Sequence, residues 1–221
     1  MIPVKAALRV DFSEAMHPWI EIRDTIRIAQ GKADVELQGP PIVAVRADRH
    51  QRVTLQVRGL AVEQEGRDAG DGAFSRIFET VQQIAAQTRL PSVAAVRFDQ
   101  LTIDPFELPF AELVAHLKAL LLVPHPLVNR ATDVQVATDE QVDDQTMNHI
   151  QIGPMRPAQL NADILAIRRE KLPDQFVFVM TGRTRRFPAP LSIEDLKTLA
   201  DPFVQWSRAQ TDEILATVRT A

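Results

Sequence analysis

The chain reads as an α+β protein, with antiparallel sheet and packed helices in two tandem strand–helix–strands–helix units. Three observations predict this. Alternation of apolar and polar residues with a period of two fills residues 3–12, 33–65 and 93–103. Apolar stripes at helical spacing fill residues 74–85 and 110–121. The stretch PVKAALRVD, residues 3–11, returns 88 positions later as PSVAAVRFD, residues 91–99, with five of nine positions identical. The repeat divides the chain into residues 1–90 and 91–221, as two units or as two parts of one continuous domain.

In the first part, Val4, Ala6, Leu8 and Val10 alternate with Lys5, Ala7, Arg9 and Asp11, the pattern of a strand with one buried face. Trp19, Ile22, Ile26 and Ala29 predict a helix opening near Pro18 and closing at Gly31. Residues 33–65 predict an antiparallel meander, and a change of apolar phase at Gly59 marks a bulge or tight turn. Residues 65–72 form a loop, and Phe74, Ile77, Phe78, Val81 and Ile84 predict a helix ending near Arg89.

The second part repeats this order. A strand over 93–103 precedes a helix opened by Pro109 and ended by Pro124 and Pro126. Strands are expected near 133–137, 147–153, 160–168 and 175–181, with a polar link DEQVDD between the first two. Ser192 and Asp195 have capping-box spacing, and Asp201-Pro202 separates a short helix from a long closing one.

Composition narrows the function classes. The chain has 221 residues and 45% apolar residues, enough for a sizeable core. Twenty-five basic against 29 acidic residues give a net charge of −4, which offers no long-range pull towards nucleic acid or anionic lipid. No cysteine is present, which excludes disulfides, thiolate metal sites and cysteine nucleophiles. The N-terminus lacks signal-peptide character and the longest apolar run, LKALLLV, is too short to cross a bilayer, so a cytoplasmic protein is expected.

The element order resembles the helix-grip and TATA-binding-protein-like folds, in which a curved antiparallel sheet wraps a long C-terminal helix. PPIVAVRADRHQRVTLQVRG, LNADILAIRREKLP and the closing helix are similar to an uncharacterised, sporadically distributed family of bacterial α+β proteins. These resemblances imply architecture and no activity. The charge balance argues against DNA binding of the TATA-binding-protein kind.

Residue-level signals are sparse. MTGRTRRFPAP, residues 180–190, is the most basic stretch. Arg183, Arg185 and Arg186, with Arg168, Arg169 and Lys171, make a candidate contact for an anion, a partner or nucleic acid, or else a solvated turn. Asp139, Glu140, Asp143 and Asp144 lack calcium-loop spacing. The histidines at 17, 50, 116, 125 and 149 form no short metal-ligand motif. Asp99 and Asp104 would serve acid–base chemistry only in a shared dry pocket. No P-loop, G-x-S-x-G or G-x-G-x-x-G is present, so no catalytic residue, cofactor or metal is assigned.

Arg9 and Arg97 hold equivalent places in the repeat, each two positions before an aspartate on the same strand face. Each is expected to pair with its own Asp11 or Asp99, in a strand salt bridge or as one of two symmetric anion contacts. Arg97, Asp99 and His116 are the polar groups expected to meet in any cavity between sheet and helix. The function expected from this reading is a non-enzymatic binding or assembly protein, with a protein partner or a second copy. A small-molecule binder or enzyme, and nucleic-acid binding through residues 168–186, are the alternatives.

Overall fold

The computed structural model describes residues 1–16, 34–36, 42–46, 50–163 and 172–220. The helix expected at 18–31 lies outside the described residues, as does His17. Among those described, nine strands form one antiparallel sheet in the order β2-β3-β4-β5-β1-β6-β9-β8-β7. The first half contributes β1 (Ile2–Phe12), β2 (Asp34–Glu36), β3 (Ile42–Arg46), β4 (Gln51–Gln56) and β5 (Gly59–Glu65), followed by helix α1 (Ala73–Gln87). The second contributes β6 (Val93–Pro105), α2 (Phe110–Leu121), α3 (Pro126–Arg130), β7 (Val136–Gln141), β8 (Thr146–Met155), α4 (Pro157–Asp163), β9 (Phe176–Leu191) and α5 (Ala200–Thr220).

In each half the last strand returns to pair with the first: β5 with β1, and β9 with β6. A 3-10 turn follows each of these last strands, Gly66–Ala69 in one and Glu194–Leu199 in the other, and a helix follows each turn. The halves join where the two copies of the repeated motif meet, β1 against β6. Arg9 lies opposite Arg97, Leu8 opposite Phe98 and Val10 opposite Val96, so the register is two-fold about the arginine pair. The two parts therefore share one sheet.

Alternation decides the faces. On β1, Val4, Ala6, Leu8, Val10 and Phe12 are buried while Arg9 and Asp11 are exposed. Leu8 and Val10 pack with Val53, Leu60, Val62, Phe98 and Val96 beneath α1 and the start of α5. Phe74 of α1, Phe98 of β6 and Phe203 of α5 form a ring cluster, with centroids 5.5–5.7 Å apart. Leu113 and Leu117 of α2 and Leu215 and Val218 of α5 cover Ile152, Val177 and Val179 on the same face. At the far end of α5, Arg219 grips the buried Asp104 through Nε at 3.0 Å and Nη2 at 2.6 Å. On the opposite face, Leu160 and Leu172 cover an apolar end formed by Leu101, Ile103, Phe176 and Phe178.

The change of phase at Gly59 is, of the two alternatives expected, the tight turn: Val57-Arg58 between β4 and β5. Other expectations need correction. The polar link is partly strand, since β7 runs through Asp139 to Gln141 and the turn lies beyond it. The strand expected at 160–168 begins instead as helix α4, whose first residue is Pro157 and whose Gln159 Oε1 accepts from the Arg156 N–H at 2.9 Å; residues 164–171 lie outside the described set. Ser192 Oγ donates to the Asp195 carboxylate at 2.7 Å rather than capping a backbone N–H.

The largest correction is β9. The basic stretch is no turn but the second half of a strand of 16 residues, hydrogen-bonded on both sides to β6 and β8. It alternates like any strand, and its arginines are thereby divided between two faces.

Phe98 joins both halves and both long helices. Phe98→Ala is expected to cost about 3–5 kcal/mol in urea unfolding, the usual loss for emptying a buried phenylalanine site.

Candidate functional site

The face turned away from α1 and α5 carries a polar centre. Across strands β7, β8, β9, β6, β1, β5 and β4 one register row reads Asp139, His149, Gly182, Asp99, Ala7, Glu63, Arg52. The next row holds Thr184, Arg97 and Arg9, and the one beyond it Arg186, Ala95 and Asp11. The first row thus places two carboxylates beside an imidazole, and the next two supply three guanidiniums.

Arg97 Nε donates to Asp99 at 2.8 and 2.9 Å, the i to i+2 pairing expected for one strand face. Gly182 makes room for it. A Cβ at this position would stand 2.6 Å from Asp99 Oδ1 and 3.6 Å from the Arg97 guanidinium. The Asp99 side chain keeps only 25% of its exposure, and burial pushes its carboxyl above the usual 3.8 despite the opposing charges of Arg97, Arg9 and His149. His149 Nδ1 lies 2.6 Å from Asp139 Oδ1 on the neighbouring strand. An ionised carboxylate only accepts, so in this contact Nδ1 is the donor.

Arg9 departs from its expected partner. Among the described residues it makes no ion pair, with Asp11 or any other group, and it stands exposed opposite Arg97. Like charges directly across a strand pair repel, and Asp99, bonded to Arg97 and attracted by Arg9, offsets part of that repulsion. The exposed Arg186 side chain likewise has no ion-pair partner among the described residues.

The remaining candidates fall elsewhere. Arg183 and Arg185 lie on the helical face. Arg183 donates to Asn148 Oδ1 at 2.8 Å and stacks 4.7 Å above the Trp206 ring, where burial lowers its pKa. Arg185 lies over Phe187. Arg168, Arg169 and Lys171 are outside the described residues. His116 is also on the helical face, bonded through Nε2 to the Val218 carbonyl at 2.7 Å, so the expected trio of Arg97, Asp99 and His116 does not assemble. Asp99 and Asp104 are on opposite faces and share no pocket. Of the acidic link, Asp139 holds His149, Glu140 accepts from Asn148 at 3.0 Å, and Asp143 accepts from the Gln145 N–H at 2.8 Å.

No protein-family model matches the chain, and no curated protein is significantly similar to it. No helix among the described residues is long and apolar enough to cross a membrane.

The raised Asp99 carboxyl has a consequence for stability. The folded chain holds this proton more tightly than the unfolded one, so its contribution is complete below about pH 3.8 and is lost as pH rises through the folded value. Wild type is therefore expected to lose margin relative to Asp99→Asn over that rise, in paired urea titrations across the pH range. A margin that grows instead would show that the Arg97 contact outweighs desolvation.

Proposed function

We propose that this is a non-enzymatic binding protein whose open sheet face receives another protein surface. The observation that carries the reading is the Arg9–Arg97 juxtaposition. Two guanidiniums face each other on central strands, one without an ion partner among the described residues, with Arg186 a row away. A like-charge pair that weakens the sheet is relieved when a carboxylate of a partner sits between the two, since guanidinium and carboxylate pair in a bidentate fork.

The kind of partner follows from the signs. Asp11, Asp99 and Asp139 are interleaved with the arginines on this face, and the whole chain carries −4. A uniform polyanion such as nucleic acid would meet these carboxylates as well as the arginines. A protein segment that places a carboxylate over each arginine and leaves the aspartates clear avoids that repulsion. The same proposal takes the two halves as copies of one helix-grip-like unit. Its support is the repeated motif, the shared element order and the two-fold register of β1 on β6.

The test uses an isotope-labelled full chain and a synthetic peptide of alternating Glu and Ser, which as a strand presents its carboxylates on one face. Saturable shifts at Ala7, Arg9, Arg97 and Thr184 are expected, weakening with added salt. They should fade in Arg9→Gln with Arg186→Gln, changes that break no ion pair among the described residues. Absence of shifts at low salt, or stronger binding of a mixed-sequence oligonucleotide, would overturn the reading.

A further inference from the structure

On the opposite side of the sheet, α1 and α5 diverge around a groove of about 400 Å³. Ligand sites occupy roughly 300–1,000 Å³, so this one suits a small compound. Its floor is neutral and polar: Gln100 and Thr102 from β6, Ser207 and Thr211 from α5. Thr181 Oγ1 and Ser207 Oγ lie 2.5 Å apart, and Ser207 Oγ donates to Gln100 Oε1 at 3.2 Å, which fixes the amide and leaves its NH2 as a donor.

Two hydroxyls in this floor have no hydrogen-bond partner among the described residues. Thr102 is 7% and Thr211 5% exposed, yet among the described residues neither hydroxyl makes a hydrogen bond. The contrast within α5 is direct. Thr217 and Thr220 return their hydroxyls to the carbonyls four residues back, at 2.9 and 3.0 Å, and Thr211 does not. The Thr102 and Thr211 oxygens keep access to the groove, where a ligand hydroxyl can reach them.

The N-terminus of α1 opens into the same groove. Gly72 is its N-cap at φ 75°, with no side-chain cap, and the first intrahelical bond runs from Arg76 N–H to the Gly72 carbonyl. The N–H groups of Phe74 and Ser75, both lining the groove, therefore lack an intrahelical acceptor. Around the floor, Asp201 and Asp212 stand on the rim as acceptors, while Val204 and Ala73 supply apolar wall.

We propose that the α1–α5 groove binds a neutral polyhydroxy compound of monosaccharide size. The floor carries no formal charge, and the cations lining the groove are already held, Arg208 by Asp71 at 2.9 Å and the Met1 ammonium by Asp104 at 3.1 Å, so an anionic ligand is poorly matched. Free hydroxyls, an amide donor, helix N–H groups and rim carboxylates satisfy ligand hydroxyls as both donors and acceptors. The apolar wall receives the C–H face of a ring.

The test is methyl-detected NMR of the full chain titrated separately with D-glucose, D-galactose and myo-inositol, with glycine as a zwitterionic control. At least one polyol is expected to shift the methyls of Thr102, Thr211, Ala73 and Val204 saturably at millimolar concentration, leaving Ala7 and Ala61 on the other face unmoved. Thr211→Val should weaken that polyol about tenfold, the value of one hydrogen bond. Asp212→Asn, at an exposed rim position that leaves the fold intact, should weaken it several-fold. No saturable shift with any of the three polyols, tighter binding of glycine, or affinity unchanged in both variants would overturn the proposal.

Discussion

The structure depends on the pairing of β1 with β6. Each of these strands already has a partner from its own half, so their contact turns two short meanders into one sheet of nine strands. Its register is the only one that sets Leu8 against Phe98 and Val10 against Val96 on the buried side. A slip of one residue would turn arginines and aspartates into the core beneath α1 and α5, a cost no surface contact could offset. The same register forces Arg9 against Arg97 on the other side. The polar centre of the open face is thus a by-product of the order imposed by the core.

The two faces then diverge in chemistry. The helical face is filled by side chains from α1, α2 and α5, and the ring cluster of Phe74, Phe98 and Phe203 ties both halves to it. Where α1 and α5 part it leaves a groove, and there the strand and helix supply hydroxyls in place of apolar groups. The open face has charges held by near neighbours: Arg97 by Asp99 on its own strand, His149 by Asp139 on the adjacent one. The proposed small ligand belongs to the groove on one side, and the proposed protein partner to the alternating charges on the other.

Much of the fold was legible because the strongest patterns are local. The alternation of β1 and β6 and the stripes of α1, α2 and α5 need no knowledge of the partner element. Arg97 with Asp99 was legible for the same reason, since two positions along a strand always share a face. What failed needed tertiary information. The arginines of β9 read as solvation because charge in sequence resembles a turn. Yet Thr181, Arg183 and Arg185 alternate with Gly182, Thr184 and Arg186, a strand pattern in which polar residues take both sides. His149 and Asp139 meet only through the β7–β8 register, ten residues apart along the chain. His116 was grouped with Arg97 and Asp99 because nothing in α2 says which side of the sheet it covers. Gly182 carried no signal until the side chain lying over it was seen.

The central position of β1 has a consequence for the order in which the protein is made. During synthesis β5 begins about sixty residues after β1 begins and can pair with it at once, while β6 begins only some ninety residues after β1 begins. In that interval one edge of β1 presents a full row of unsatisfied N–H and C=O groups beside a hydrophobic face still lacking Phe98 and Phe203. Such an edge is a template for another chain of the same sequence, whose own repeated motif is chemically similar. The strand that unites the finished molecule is, until residues 93–105 emerge, the place where two nascent copies can join each other instead.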